Sequence, residues 1–325
     1  MTEPADGRDI CVLLLGPLHP GVRDGLAGRF DLIEAVMGAA GDLPTEKLDK
    51  VCALACAGSA PRALLDRLPK LELIASFGVG YDGIDLAYAA RRGIVVTNTP
   101  DVLNDEVADA TVWLLLDAMR GFSKAQSWLR AGRWPAEGPY PLSPRSLKGR
   151  SVGIWGLGRI GRAIARRLEG FGLPISYCNR RPLENIAYRH EPNLLALARA
   201  VDILIAAVPG GAATDGAVSE EVLRALGPDG IFVNVGRGST VDEEALIRFL
   251  KNGTIAAAGL DVFAGEPRIR AEFLTLDNAT VLPHIAAASV DARAAVARLV
   301  ADNVIEWFAH GKPLTPVGAF TKRVG

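Results

Sequence analysis

The sequence predicts an α/β fold with two doubly wound parallel-sheet domains. Three observations support this fold class. Short apolar runs of strand length alternate with segments of helix length along most of the chain, as in parallel sheets that are covered by helices. The chain has 325 residues, which is about twice the size of a usual domain. Near its middle, residues 151–178 contain an apolar run, a glycine-rich turn, a helix-forming segment and a second apolar run.

The amino-terminal part of the chain predicts a first parallel sheet, because its apolar runs are separated by helical segments. Gly16-Pro17 ends the first run, and Pro61 is favourable at the start of a helix. The predicted strands cover residues 10–15, 30–36, 51–57, 71–77 and 94–97, and the predicted helices cover 21–29, 45–50, 61–68 and 85–92. This first unit ends near Asn98-Thr99-Pro100.

Residues 101–119 differ in character, with many Val, Leu and Ala and few charges in the later turns. They predict a long helix that has Asp101 as a possible amino-terminal cap and apolar residues on more than one side. Two interpretations stay open: a helix in the core of one subunit, or a helix shared with a second subunit. Residues 126–142 contain several prolines and Trp134, and they predict an irregular arm.

The middle of the chain contains a glycine-rich turn between a predicted strand and a predicted helix. The spacing G-x-G-x-x-G occurs in Gly156-Leu157-Gly158-Arg159-Ile160-Gly161. Gly156 permits a tight turn, Gly158 lets a pyrophosphate approach the backbone, and Gly161 allows the helix to pack closely on its strand. The amino terminus of the helix offers unpaired N–H groups to phosphates. Because a strand at 151–154 and a helix at 162–169 flank the turn, the motif predicts a dinucleotide site.

The alternation of strands and helices continues after the glycine-rich turn. The predicted strands cover residues 174–178, 201–208, 230–235, 256–262 and 280–282, and the predicted helices cover 219–225, 242–252 and 289–310. The last helix is amphipathic, and we expect it to return to the first unit. Residues 1–99 and 288–325 then form one discontinuous domain, and residues 100–287 form the dinucleotide-binding domain. The cleft between the two domains is the expected active site.

The composition excludes several classes of function. The chain has 36 Lys and Arg against 37 Asp and Glu, so we expect neither a nucleic-acid-binding surface nor attraction to an acidic membrane. The amino terminus lacks the pattern of a signal peptide, and no apolar run reaches membrane-spanning length. The four cysteines are spaced neither for a zinc site nor for a disulfide framework, which predicts reduced thiols in a cytoplasmic protein.

Three polar residues follow predicted strands at their carboxyl ends, where open α/β sheets bind their ligands. Arg237 lies between two glycines, so its guanidinium is free to reach a carboxylate. Glu266 lies in the sequence Ala-Gly-Glu-Pro, and His284 follows Leu-Pro. Taken singly, the three residues are also consistent with a surface arginine, a loop glutamate and a structural histidine.

The order Arg237, Glu266, His284 after a dinucleotide motif resembles the D-isomer-specific 2-hydroxyacid dehydrogenases. The resemblance extends over nearly the whole chain and includes SFGVGYD at 76–82, NTPDVL at 98–103 and KPL at 312–314. It is strongest to the glyoxylate/hydroxypyruvate reductase branch, as in PISY at 174–177, GRG at 236–238 and VDE at 241–243. The family implies a Rossmann-like cofactor domain and a flavodoxin-like substrate domain.

The resemblance implies the reduction of a 2-keto acid, with no metal needed. His284 would be the general acid that protonates the ketone oxygen as hydride arrives at the carbon. Glu266 would hydrogen-bond the other ring nitrogen, which fixes the tautomer and stabilises the imidazolium. Arg237 would bind the substrate carboxylate and polarise the carbonyl. The backbone N–H groups of Val79 and Gly80 would bind the same carboxylate.

The segment Asn179-Arg180-Arg181 suggests the type of cofactor. An NAD site usually has an acidic residue about 20 positions beyond the loop, which accepts a hydrogen bond from the ribose 2′-OH. Here no carboxylate is present, and two guanidiniums can bind a 2′-phosphate unless they are only solvated surface charges. We therefore predict NADPH, with NADH as a weaker alternative. The resemblance implies that Asp261 has an orienting role near the nicotinamide. It also implies a set of further cofactor contacts: Val208, Pro209, Thr214, Val235, Gly236, Arg237, Asp261, His284 and Ala286.

The predicted function is the NADPH-dependent reduction of glyoxylate and hydroxypyruvate to glycolate and D-glycerate. One alternative is a member of the same family that acts on a bulkier keto acid or on phosphoglycerate, and another is a cofactor-sensing protein similar to the corepressors of this fold. We expect a homodimer formed through the cofactor domain, the helix at 101–119 and the arm around Trp134. Trp134 resembles an aromatic residue that relatives project into the partner's active site, and it is equally consistent with a buried arm residue.

Overall fold

A computed structural model describes residues 10–38, 42–143 and 145–318. Within these residues the chain divides into two compact units. Unit 1 contains the described residues up to Leu103 and from Ser289 onward, and unit 2 extends from Asn104 to Ala288. The division thus falls after residues 103 and 288, where the sequence analysis expects it after residues 99 and 287.

Unit 1 is built on a sheet of five parallel strands. These strands are β1 (Cys11–Leu15), β2 (Asp31–Ala35), β3 (Val51–Cys56), β4 (Leu73–Ser76) and β5 (Val95–Thr97). The helices that follow the first four of them are α1 (Pro20–Leu26), α2 (Thr45–Leu48), α3 (Arg62–Leu65) and α4 (Leu86–Arg91). The strand order is β2-β1-β3-β4-β5, which is the order of flavodoxin-like sheets. β1 is buried along its whole length, as expected for a strand that helices cover on both faces.

Unit 2 contains a sheet of seven parallel strands. Its helices before the first strand are α5 (Asn104–Arg120), α6 (Phe122–Arg130) and α7 (Trp134–Glu137). The strands are β6 (Val152–Trp155), β7 (Ile175–Cys178), β8 (Arg189–His190), β9 (Ile203–Ala206), β10 (Ile231–Asn234), β11 (Ala257–Leu260) and β12 (Ala279–Val281). The helices between them include α8 (Arg159–Glu169), α9 (Leu194–Ala200), α10 (Glu220–Leu226) and α11 (Glu243–Asn252).

The strand order in unit 2 is β12-β11-β10-β9-β6-β7-β8. The chain leaves β6 toward one side through β7 and β8, and it then returns to the other side through β9. Ligands of open α/β sheets bind beside the carboxyl ends of the strands at such a switch point. The glycine-rich turn follows β6, so it lies where this rule places a ligand.

The last helix, α12 (Val290–His310), belongs to unit 1. The Ser289 hydroxyl caps its amino terminus by accepting a hydrogen bond from the Ala292 N–H at 3.0 Å. The buried face of α12 packs against α1, where Gly25 permits a close approach. A Cβ at Gly25 would lie 2.8 Å from the Ala301 methyl group. The return of this helix makes unit 1 discontinuous in sequence.

The structure confirms the predicted fold class and differs from the predicted elements in three places. α5 begins at Asn104 rather than near Asp101, because Asp101 has a left-handed φ of +70° and not the extended backbone of an ordinary cap. The expected irregular arm at 126–142 includes the end of α6 and all of α7, and Trp128 in α6 is buried against Tyr140 at a ring distance of 5.3 Å. The sequence patterns also do not predict α9 or β8, and β8, with two residues, is too short to show a periodicity.

The cysteines of the chain carry free thiols. Burial raises the pKa of the Cys11 thiol to about 11 and that of the Cys56 thiol to about 12, so both are unreactive core residues. In the parts of the chain that the structure describes, no helix is both long enough and apolar enough to cross a bilayer.

Candidate active site

The predicted site residues of unit 2 follow neighbouring strands of its sheet. Because all these strands are parallel, their carboxyl ends lie at one edge. In the order of the sheet, the loop after β12 carries His284, the loop after β11 carries Asp261 and Glu266, the loop after β10 carries Arg237, and the loops after β6 and β7 carry the glycine-rich turn and Asn179. The strand order therefore collects residues that are far apart in sequence.

The glycine-rich turn is shaped by close contacts at two of its glycines. Gly156 has a φ of +98°, and a Cβ there would lie 2.7 Å from Cγ1 of Val208. A Cβ at Gly161 would overlap the carbonyl oxygen of Gly156, so α8 packs too closely on the turn to accept a side chain. At Gly158, no atom of the described residues other than its neighbours along the chain lies within 4 Å of such a Cβ. This open backbone is where the motif predicts the approach of a pyrophosphate, and it fits a dinucleotide.

The segment after β7 is connected to the glycine-rich turn. Asn179 is half-buried, and its Oδ1 accepts a hydrogen bond from the Leu157 N–H at 2.7 Å. Arg180 and Arg181 are exposed, and residues 179–183 contain no carboxylate. The segment therefore offers two guanidiniums next to the predicted dinucleotide site, and it carries no negative charge that would repel a 2′-phosphate.

A buried asparagine holds the loop that carries Arg237. Asn234 donates from Nδ2 to the Arg237 carbonyl at 2.9 Å and accepts from the Gly236 N–H at 3.0 Å. The Arg237 carbonyl also accepts a hydrogen bond from the Thr240 hydroxyl at 2.7 Å. The half-buried Arg237 side chain donates from Nη1 to the Gly236 carbonyl at 2.7 Å. These contacts orient the loop independently of any ligand.

Glu266 and His284 form a hydrogen-bonded pair. Oε2 of Glu266 lies 2.6 Å from Nδ1 of His284, and Oε1 accepts a hydrogen bond from the Phe263 N–H at 2.7 Å. Burial alone would raise the pKa of the Glu266 carboxyl, but these two hydrogen bonds and the positive charge of Arg237 lower it overall. The His284 side chain is 49 % exposed. Because Nδ1 is bound by the carboxylate, Nε2 is the ring nitrogen that can exchange a proton with a ligand.

Asp261 holds the turn at His284. Its buried carboxylate accepts hydrogen bonds from the N–H groups of Ile285 at 2.8 Å and Ala286 at 3.0 Å. Its carbonyl accepts a hydrogen bond from the His284 N–H at 2.9 Å. His284 has a left-handed φ of +53°, which is costly for a residue other than glycine, and these hydrogen bonds stabilise it. Burial raises the pKa of the Asp261 carboxyl, and the two N–H groups oppose this shift.

The other predicted cofactor positions of unit 2 differ in exposure. Leu157, Val235, Gly236 and Ala286 are buried, Ile160 and Val208 are half-buried, and Gly158, Arg159 and Pro209 are exposed. The Thr214 hydroxyl donates to the Pro209 carbonyl at 2.8 Å. This hydrogen bond closes the loop after β9, so Thr214 has a structural contact in addition to its predicted one.

Sequence reasoning missed two side chains that shape the site. One is Asn234, which could have been noticed as the polar end of an otherwise apolar strand. The other is Glu243 at the start of α11, which accepts a hydrogen bond from the Ala264 N–H at 2.8 Å, next to the loop of Glu266. Burial raises the pKa of the Glu243 carboxyl. An acidic residue in the first turn of a helix is common, so the sequence gives no signal for this second role.

Val79 and Gly80 belong to unit 1, in the loop after β4. Asn98 donates from Nδ2 to the Val79 carbonyl at 2.9 Å, and the Ser76 hydroxyl donates to the Gly80 carbonyl at 3.1 Å. Within the described residues, the N–H groups of Val79 and Gly80 have no hydrogen-bond acceptor. The loop therefore has fixed carbonyls and two amide groups that are open to an anion.

Three comparisons with known proteins agree on one family. Residues 112–286 match the family model for the NAD-binding domain of D-isomer-specific 2-hydroxyacid dehydrogenases. A glyoxylate/hydroxypyruvate reductase of Arabidopsis thaliana is 39 % identical over 314 residues, which are 95 % of this chain and 99 % of that protein. A hydroxyphenylpyruvate reductase of Plectranthus scutellarioides is 40 % identical over 300 residues, which are 92 % of this chain and 90 % of that protein.

A solved structure is similar to this chain over nearly its whole length. It is the NADPH-dependent glyoxylate/hydroxypyruvate reductase of Sinorhizobium meliloti in complex with NADP and malonate. The two structures align with a TM-score of 0.93 and 50 % sequence identity, over 95 % of this chain and 97 % of the other.

Proposed function

Since the chain belongs to the D-isomer-specific 2-hydroxyacid dehydrogenases, a family of oxidoreductases, we propose that it reduces glyoxylate and hydroxypyruvate with NADPH. The products are glycolate and D-glycerate. The observation that carries the proposal is the pair of Glu266 and His284, whose Oε2 and Nδ1 atoms lie 2.6 Å apart. This pair lies on the same sheet edge as Arg237 and the glycine-rich turn.

The reaction requires a cation for the substrate carboxylate and a proton for the ketone oxygen. Arg237 binds the carboxylate and polarises the carbonyl, and Val79 and Gly80 are further predicted contacts of the carboxylate through their N–H groups. His284 donates the proton of Nε2 to the ketone oxygen, and Glu266 stabilises the protonated ring from which this proton comes. Bound NADPH supplies the hydride.

The same edge provides the contacts for the cofactor. The open backbone at Gly158 and the amino terminus of α8 hold the pyrophosphate, and Arg180 and Arg181 hold the 2′-phosphate. The relative from Sinorhizobium meliloti, at 50 % identity, is NADPH-dependent and was solved with NADP. This similarity supports NADPH over NADH for the present chain.

The test is a panel of keto acids assayed with NADPH and with NADH. Two guanidiniums at the 2′-phosphate are expected to raise kcat/KM for NADPH above that for NADH by about 10- to 100-fold, since hydrogen bonds to charged groups contribute about 1.5–3 kcal/mol. Glyoxylate and hydroxypyruvate are expected to give the highest kcat/KM. Equal efficiency with the two cofactors would contradict the cofactor assignment. NADPH binding without turnover of any keto acid would contradict the enzyme assignment and favour a cofactor-sensing role.

A second candidate is a reductase of bulkier keto acids. The observation in its favour is the 40 % identity to a hydroxyphenylpyruvate reductase over 92 % of this chain. The same panel decides between the two candidates if it includes 4-hydroxyphenylpyruvate, because a higher kcat/KM for that substrate would replace glyoxylate and hydroxypyruvate as the assigned substrates.

The assembly and location belong to the same proposal. Several apolar side chains of α5 to α7 are exposed, and they support a homodimer formed through unit 2: Trp113, Phe122, Leu129 and Trp134. Trp134 is 57 % exposed, which favours its predicted contact with a partner subunit over a buried role. Free thiols at all four cysteines fit the reducing environment of the cytoplasm.

A further inference from the structure

We propose that Tyr177 and His190 position the segment that binds the 2′-phosphate and thereby contribute to the preference for NADPH. The inference rests on the proposed function, because it takes NADPH as the cofactor. It comes from a juxtaposition that the sequence does not show: β8 pairs with β7 and brings His190 beside the segment that contains Arg180 and Arg181.

Tyr177 holds the carboxyl end of this segment, at Leu183, through a hydrogen bond. Its ring is buried in β7, and its hydroxyl oxygen accepts a hydrogen bond from the Leu183 N–H at 2.8 Å. The chain between these two residues carries Arg180 and Arg181. Because a close-packed ring in a sheet has little freedom to move, the hydroxyl is a rigid anchor for Leu183.

His190 holds the amino end of the segment, at Asn179. The pairing of β8 with β7 places it opposite Tyr177, and the two ring centroids lie 5.1 Å apart. Nε2 of His190 lies 3.3 Å from the carbonyl oxygen of Asn179. A carbonyl can only accept, so Nε2 carries the proton and donates it. Asn179 is therefore held twice, since its Oδ1 also accepts the hydrogen bond from the Leu157 N–H in the glycine-rich turn.

The consequence is a short segment with both ends fixed and two exposed cations between them. Arg180 and Arg181 are long side chains, and ordering them around a phosphate has an entropic cost. A backbone that is already fixed reduces this cost, because less freedom is lost on binding. Tyr177 and His190 each have a partner in the segment itself, so they act through Arg180 and Arg181 and not through contact with the phosphate.

The experiment measures binding and not turnover. Dissociation constants for NADPH and NADH are determined by nicotinamide fluorescence on the full chain, for the wild type and for Tyr177→Phe, which removes only the hydroxyl. We expect the dissociation constant for NADPH to rise about three- to tenfold, in line with the loss of one hydrogen bond, and that for NADH to change less than about twofold. His190→Phe, which keeps a ring beside Tyr177 and removes the donor, should change the ratio in the same direction.

A matched control is available in Tyr188→Phe. The hydroxyl of Tyr188 donates to Oε1 of Glu169 at 2.8 Å, and in the described structure it forms no hydrogen bond with residues 179–183. This variant should leave both dissociation constants unchanged. The Tm of every variant is measured as well, because a purely structural role of Tyr177 would lower the Tm and weaken both cofactors equally.

The outcomes separate this inference from the proposed function. If the wild type binds the two cofactors equally, the cofactor assignment is wrong and this inference is overturned with it. If the wild type prefers NADPH and Tyr177→Phe keeps the same preference, only this inference is overturned. Equal weakening of both cofactors together with a lower Tm would also overturn it, in favour of a structural role.

Discussion

His284 has a backbone conformation that is costly for its residue type, with a φ of +53°. Asp261 supports it by binding the N–H groups of Ile285 and Ala286 and accepting the N–H of His284 itself. Glu266 then orients the ring from Nδ1. Two different carboxylates therefore fix the backbone and the side chain of His284. As a result, the orientation of Nε2 is already set before any substrate binds.

The Glu266–His284 pair leads to a prediction about pH. Glu266→Gln removes the negative charge that faces Nδ1 of His284. Because the pKa of the Glu266 carboxyl is lowered, this charge is present at neutral pH and is lost only when acid protonates the carboxyl. We expect kcat for reduction to fall about 10- to 100-fold near neutral pH, and the difference from the wild type to become smaller at acid pH. The measurement is kcat against pH for both proteins.

A matched control is the surface pair of Glu306 and His310, whose Oε2 and Nε2 atoms lie 3.8 Å apart. Glu306→Gln removes a carboxylate beside a histidine outside the candidate site, and it should leave the pH profile unchanged. An unchanged kcat in Glu266→Gln at neutral pH would show that this carboxylate does not assist the proton transfer.

At the scale of secondary structure elements, β6, the glycine-rich turn and α8 form one strand–turn–helix motif. Two glycines of this motif are needed for different reasons. Gly161 lies where a side chain would overlap the Gly156 carbonyl, so it is needed for the packing of α8 on the turn. Gly158 has open space in the direction of a side chain and a negative φ of −83°. Packing against the rest of unit 2 therefore does not require the absence of its Cβ, which fits the proposed approach of a pyrophosphate.

This difference predicts that two alanine substitutions affect different properties, one the stability of the fold and the other the binding of the cofactor. Gly161→Ala forces backbone atoms apart, and we expect a loss of about 1–3 kcal/mol in the free energy of unfolding. Gly158→Ala should leave the Tm within about 1 °C of the wild type, because small surface changes are nearly neutral, and should weaken NADPH binding at least about tenfold. Thermal unfolding and cofactor titration of both variants measure the two effects. A stable Gly158→Ala variant with normal NADPH affinity would contradict the placement of the pyrophosphate.

At the scale of the whole molecule, unit 2 exposes apolar side chains on the helices that precede its first strand. Leu129 of α6 is 50 % exposed and Trp134 of α7 is 57 % exposed, while Trp128 of α6 is buried against Tyr140. Exposed apolar side chains that form a patch are typical of an interface. Since a twofold axis would bring the same helices of two copies together, the proposed homodimer would cover this surface.

The homodimer leads to a prediction about assembly. Leu129→Glu places a charge in the proposed interface, and we expect the dissociation constant of the dimer to rise at least about 30-fold, as for a hot-spot residue. Leu274→Glu is the control, because Leu274 is 67 % exposed but lies in the segment between β11 and β12. Sedimentation equilibrium measures both variants. A monomeric wild type, or equal weakening by both substitutions, would contradict the proposed interface.

The sequence alone was sufficient for the fold class and for the chemical character of the candidate site. Apolar runs and glycine spacing are local signals, so they predict the parallel strands and the turn after β6 without knowledge of strand order. Arg237, Glu266 and His284 could be singled out because each follows a strand at its carboxyl end. Local signals failed at α9, at β8, which has only two residues, and at Asp101, whose left-handed backbone no pattern indicates.

The tertiary structure decided which side chains hold these residues in place. Asp261 reaches the N–H groups after His284, Asn234 braces Arg237, Glu243 holds the loop of Glu266, and Tyr177 reaches Leu183. Two of these contacts, those of Asp261 and Glu243, join segments that follow different strands, and they exist because parallel strands bring their carboxyl ends to one edge of the sheet. The identity of the candidate site residues is thus encoded locally in the sequence, whereas their orientation depends on strand order, a property of the whole sheet.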